Sequence, residues 1–235
     1  MLVASDKKRR KGKITYRDNI SQNAASRHFA YLLIFIYIYS RRNVMKKSYE
    51  TDLPEGYSEA YTVDAKNGRT VIIMNLACLA ITAAIIAIAW LIIKPKNYFE
   101  NYDFLHSIIF IAAMLLYIVL HELTHGIAYK LTTGRKLTFG FTLSVAYCGV
   151  PDIYVYRKAA MTALLAPFFV FIPVFLIPSF LFANAWDKFY CSVLFAMHIG
   201  GCAGDLYDTI LYIFKFRSPD TLMRDTGPKQ TFYTK

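Results

Sequence analysis

Two histidines four residues apart, with a glutamate directly after the first, stand at His121, Glu122 and His125 inside the stretch YIVLHELTHGIAYK. On a helix, residues four apart lie one above the other on one face, so both imidazoles can address a single ion. Two nitrogens fill half of a tetrahedral zinc shell, and the carboxylate of Glu122 can reach a water in the remaining space. Zinc lowers the pKa of such a water toward ~7. Glu122 can then accept the proton as a carbonyl is attacked and pass it to the leaving amine. The setting sharpens the pattern. The motif interrupts an apolar run, where each ionisable side chain costs about 2.5–3.5 kcal/mol on insertion scales and needs a compensating partner. A bound ion is one such partner; hydrogen bonds from neighbouring helices are the alternative.

A catalytic zinc takes a third protein ligand and keeps its fourth position open. The later stretch FAMHIGGCAGDLYDTIL places Asp205 and Asp208 within apolar sequence. His121 lies nine residues before Lys130, and Asp205 nine residues before Phe214. If these segments cross a bilayer in the same direction, both groups sit about 13 Å from the same end. Asp205 is therefore the expected third ligand, with Asp208, one turn further on, as the alternative. Gly200, Gly201 and Gly204 remove bulk beside Asp205, which suits close helix approach around an ion as well as ordinary helix packing. His198 lies two turns before Asp205 on the same face. It could orient substrate, stabilise an oxyanion, ligate, or be hydrogen-bonded within the bundle.

The elements that must carry these residues read as membrane spans. Hydrophobic residues make up 56% of the 235, charged residues only 18%, and the formal net charge is +11. The cations cluster beside apolar runs, as on cytoplasmic membrane flanks, which argues against nucleic acid as a partner. The four cysteines form no C-x-x-C pair and read as small packing residues. Residues 1–44 are polar and basic, then briefly apolar from Phe29 to Tyr39, and are expected to be disordered. Arg41-Arg42-Asn43-Val44-Met45 could be written AGGAGG, a spacer and ATG, so translation is expected to start at Met45. Residues 45–70 form a cytoplasmic lead, 71–214 a four-helix membrane zincin domain and 215–235 a cytoplasmic tail. The spans run Val71–Ile93, Phe104–Tyr129, Ala159–Ala183 and Trp186–Phe214. Pro167, Pro173 and Pro178 should kink the third, with neighbouring helices satisfying the freed carbonyls. Between spans two and three, KLTFGFTLSVAYCGVPDIYVY is aromatic and β-branched with Gly and Pro breaks, a hairpin-like connection or an irregular loop. The fold class expected is thus an all-α membrane protein of four transmembrane helices with a short hairpin-like connection. Placing both termini in the cytoplasm puts fourteen of the seventeen flanking Lys and Arg inside, the arrangement expected of a multi-pass protein of a bacterial-type cell membrane.

The motifs LPEGYSEAYTVD, HELTHG, AYC-x-x-P with LLAPF, and AGDLYD resemble a bacterial membrane family described as putative zincin peptidases, related to intramembrane metalloproteases of the site-2 protease type. The resemblance covers Leu53 to the C-terminus. It implies Zn2+ as cofactor, His121, His125 and Asp205 as ligands and Glu122 as base. The site-2 group usually has glycine directly after its aspartate; here Gly204 precedes Asp205 and Leu206 follows. The activity implied is zinc-dependent hydrolysis of a membrane-embedded peptide or protein substrate near the cytoplasmic face. A non-catalytic membrane metal-binding or scaffold protein is the alternative, and a hydrolase of lipids or small amides a third. Oligomeric state has no signature in the sequence.

Overall fold

Each apolar run closes its backbone hydrogen bonds within itself, the one solution open to a lone segment in lipid. A computed structural model describes residues 48–96, 104–141 and 146–235. The expected disordered tail, its short apolar run and the Met45 start lie outside the described residues. Helix α1 spans Gly68–Ile93, α2 Phe104–Thr133 and α3 Arg157–Leu181. All three are long and apolar enough to cross a membrane. Asn67 starts α1 by accepting the Arg69 N–H at 3.1 Å. Leucines and isoleucines such as Ile92 and Leu181 face outward, three-quarters exposed. An apolar surface that wide suits lipid rather than water.

The fourth run is not one straight helix. It is α4, Ala185–Gly201, followed by α5, Ala203–Phe214, bent by 43° at Cys202. Taken together the pair would make a fourth span. Helix α3 continues through Pro167, Pro173 and Pro178. It is the hub of the bundle, packed against α2, α4 and α5, while α1 packs along α4 and against α5 rather than on α2.

The expectation of an all-α protein is corrected by two sheets. Strands β3 (Thr138–Phe141) and β4 (Ala146–Gly149) form an antiparallel pair, so the connection between α2 and α3 contains a hairpin-like element. A five-stranded sheet joins β1 (Tyr49–Glu50), β2 (Ser58–Asp64), β5 (Tyr154–Tyr156), β6 (Leu222–Asp225) and β7 (Lys229–Thr234) in the order β1-β5-β6-β7-β2. Its strands come from the lead, the connection and the tail. These are the three segments that hold most of the flanking cations, and pairing β2 with β7 and β5 with β6 puts all three at one end of the bundle.

Close approach of α1 to α4 depends on Gly200. A β-carbon there would lie 2.7 Å from the Cys78 carbonyl oxygen and closer still to the Thr82 hydroxyl, whereas one at Gly204 would meet nothing within 4 Å. Gly200→Ala must therefore push the helices apart, at a cost of about 1–3 kcal/mol. Thermal unfolding in detergent should show a clear drop for Gly200→Ala and almost none for Gly204→Ala.

Candidate metal centre

Four side chains on α2, Tyr117, His121, His125 and Tyr129, follow one another at intervals of four and are all buried, at 6, 7, 7 and 1% exposure. The two histidines form the middle of this column. The bend at Cys202 puts Asp205 in the first turn of α5, facing them. His121 Nε2 and His125 Nε2 are 3.2 Å apart, and each is 3.4 Å from Asp205 Oδ2. A zinc bonded at about 2.05 Å to each atom has tetrahedral edges of about 3.3 Å. The triangle has the size an ion requires.

The donor chemistry fits as well. His125 Nδ1 lies 2.9 Å from the Ala163 carbonyl oxygen, which can only accept, so Nδ1 carries the proton and a neutral ring offers Nε2 as a bare lone pair. Two imidazoles and one carboxylate are a set that suits zinc. Glu122 is half-buried and lines the same cavity of about 370 Å³. Among the described residues no hydrogen bond or ion pair ties down its carboxylate, so it remains available to a water.

The other candidates separate. Asp208 also lines the cavity, but it is not one of the three converging residues, and its Oδ1, in a residue only 3% exposed, has no hydrogen-bond partner among the described residues. His198 is fully buried and does not line the cavity; it is hydrogen-bonded inside the bundle to the Tyr117 hydroxyl and the Phe168 carbonyl. A second set of potential ligands, His121, His198 and Cys202, is close together. There the Tyr117 hydroxyl already sits 3.1 Å from His121 Nδ1 and 3.0 Å from His198 Nδ1, filling that role as a hydrogen-bonding bridge. All four cysteines are free thiols. Burial pushes the Cys148 thiol up to about 12, which keeps it a neutral packing group.

The sheets complete the cavity wall. Ala146, Tyr147 and Cys148 of β4, Val63 of β2, and Asp225 and Gln230 of β6 and β7 line it, together with α1 residues including Met74 and Cys78. The hairpin seats against α2 at Gly126, where a β-carbon would stand 2.7 Å from the Phe139 ring. Asp225 anchors the next turn of α2 by accepting the Tyr129 hydroxyl at 2.6 Å, the Gly227 N–H at 2.8 Å and Gln230 Nε2–H at 3.2 Å. Burial pushes its carboxyl up to about 6 in spite of these donors. Sequence reasoning passed over Tyr117, Tyr129 and Asp225. The spacing of four that joined the histidines would have found both tyrosines.

No curated protein and no solved structure matches the chain. Residues 114–219, from about two turns before His121 to just past α5, match the family model described as "Putative zincin peptidase", which points to a zinc metallopeptidase.

Proposed function

We propose that this chain is a zinc-dependent intramembrane peptidase acting on a membrane-embedded peptide or protein near the cytoplasmic face. The observation that carries the reading is the convergence of His121 Nε2, His125 Nε2 and Asp205 Oδ2 at 3.2–3.4 Å beside the cavity that Glu122 shares. Those three atoms would hold a zinc ion, and three protein donors would leave it room for water or substrate. Bound there, zinc supplies Lewis acidity, which acidifies water and polarises a carbonyl. Glu122 moves the proton: one of its carboxylate oxygens takes it from the attacking water and returns it to the departing amide nitrogen.

Substrate must reach this point with its backbone exposed. A helix hides its amides, so the segment to be cut unwinds first. Ala146, Tyr147 and Cys148 of β4 line the cavity, and an extended peptide pairs with this connection as a further strand. The end of the bundle that bears the five-stranded sheet is the cytoplasmic one, by the bias of Lys and Arg toward that side. Both termini then lie in the cytoplasm of a bacterial-type cell and the chain is multi-pass. The relation to site-2 proteases rests on the shared order of motif helix, hairpin and aspartate helix.

The test is cleavage of a bilayer-inserted reporter peptide by the purified, reconstituted protein. Zinc at one per chain, loss of cleavage on chelation and its return with added zinc are the expected results. Cleavage that persists in the metal-free protein would falsify the reading. One tightly bound zinc with no cleavage of any inserted peptide would favour the metal-binding or scaffold alternative.

A further inference from the structure

The carbonyl that fixes His125 is free because of a proline. In a helix the Ala163 oxygen would accept the N–H of the residue four further on; that residue is Pro167, which has none. Pro167 is itself fully buried in α3. The oxygen left over is the one 2.9 Å from His125 Nδ1. It settles which nitrogen holds the proton and leaves Nε2 bare.

His121 is fixed by a longer chain that ends on the same helix. His198 Nε2 lies 3.2 Å from the Phe168 carbonyl oxygen, which can only accept, so Nε2 carries the proton. The Nδ1 of a neutral His198 is then an acceptor, and the Tyr117 hydroxyl donates to it at 3.0 Å. The single hydroxyl proton is thereby used, so the Tyr117 oxygen accepts from His121 Nδ1–H at 3.1 Å. His121 Nε2 is left bare, directed at the point it shares with His125 Nε2 and Asp205 Oδ2. Cys202 Sγ, 3.7 Å from the same His198 Nδ1, is a second and weaker donor to it, and with neutral rings no other assignment satisfies all three links.

We propose that α3 sets the tautomer and aim of both histidines through two of its backbone carbonyls, Ala163 directly and Phe168 by way of His198 and Tyr117, which makes Pro167, Tyr117 and His198 positioning residues of the metal centre. This rests on the reading of His121 and His125 as ligands. Partners outside the ligand shell typically change metal affinity by about 10–100-fold when removed. Two of these residues allow clean substitutions. Tyr117→Phe keeps the ring that packs against Phe171 and Phe175 and removes only the hydroxyl. Pro167→Ala returns an N–H to the helix, which competes for the Ala163 carbonyl.

The experiment measures zinc affinity of the full chain in detergent by competition with a chromophoric chelator. Wild type, Tyr117→Phe, Pro167→Ala and His121→Ala are compared, together with thermal unfolding of each metal-free protein and ¹⁵N-histidine spectra. Both positioning variants should lose about 10–100-fold in affinity. Metal-free Pro167→Ala should unfold at the wild-type temperature or above, since a helix bond is restored. Its lost affinity then cannot be loss of fold. The signal of His121 in Tyr117→Phe, and that of His125 in Pro167→Ala, should move from a pure Nδ1–H tautomer to a mixture. Affinity within twofold of wild type in either variant overturns the assignment of its carbonyl. A wild type that binds no zinc, or that binds no better than His121→Ala, instead defeats the underlying ligand reading.

Discussion

Glu122→Gln should retain a full complement of zinc and lose hydrolysis by about 10²–10⁴-fold, the range a positioned general base supplies. Glutamine has the shape of glutamate but cannot take up a proton, and Glu122 is outside the triangle of converging atoms. Its removal therefore touches proton transfer and leaves binding alone. The measurement pairs metal content with the rate of reporter cleavage in the same preparation. Cleavage within tenfold of wild type would remove Glu122 from the mechanism. A parallel loss of zinc would mean that the carboxylate helps to hold the ion.

Asp205→Ala and Asp208→Ala should differ almost completely in metal content. Asp205 Oδ2 lies 3.4 Å from both imidazole nitrogens, and without it two histidines remain. Affinity should then fall by more than the ~10–100-fold associated with outer partners, and the purified protein should contain little zinc. Asp208 is buried with an oxygen that has no hydrogen-bond partner, so alanine there removes an unsatisfied polar atom. Such a change is close to neutral or stabilising, and one zinc per chain should remain. A full complement in Asp205→Ala with loss in Asp208→Ala would exchange their roles.

The parts of the centre that share a span could be read directly from spacing. His121, Glu122 and His125 sit on one helix, where distance along the chain fixes geometry. Matching Asp205 to His121 by depth rests on converting residue counts into height, and both stretches used, His121 to Lys130 and Asp205 to Phe214, lie within single helices. The bend at Cys202 could not be read that way. Gly200 and Gly201 signalled small residues there, but nothing in their local spacing marks a bend of 43°. The five-stranded sheet left still less trace. Its strands are two to seven residues long, and Ser58 pairs with Thr234 across almost the entire membrane domain. Such pairing leaves no local pattern, and LMRD in β6 alternates too briefly to announce a strand. Tyr117 was hidden for a different reason. A tyrosine in an apolar run looks like membrane packing until the partners of its hydroxyl are known.

The strand Lys229–Thr234 and the Asp225 anchor are the last of these pieces to be translated. During synthesis the histidine-bearing helix enters the bilayer before the wall beside it can form. Assembly of that wall therefore waits on a strand translated long after the histidine-bearing helix.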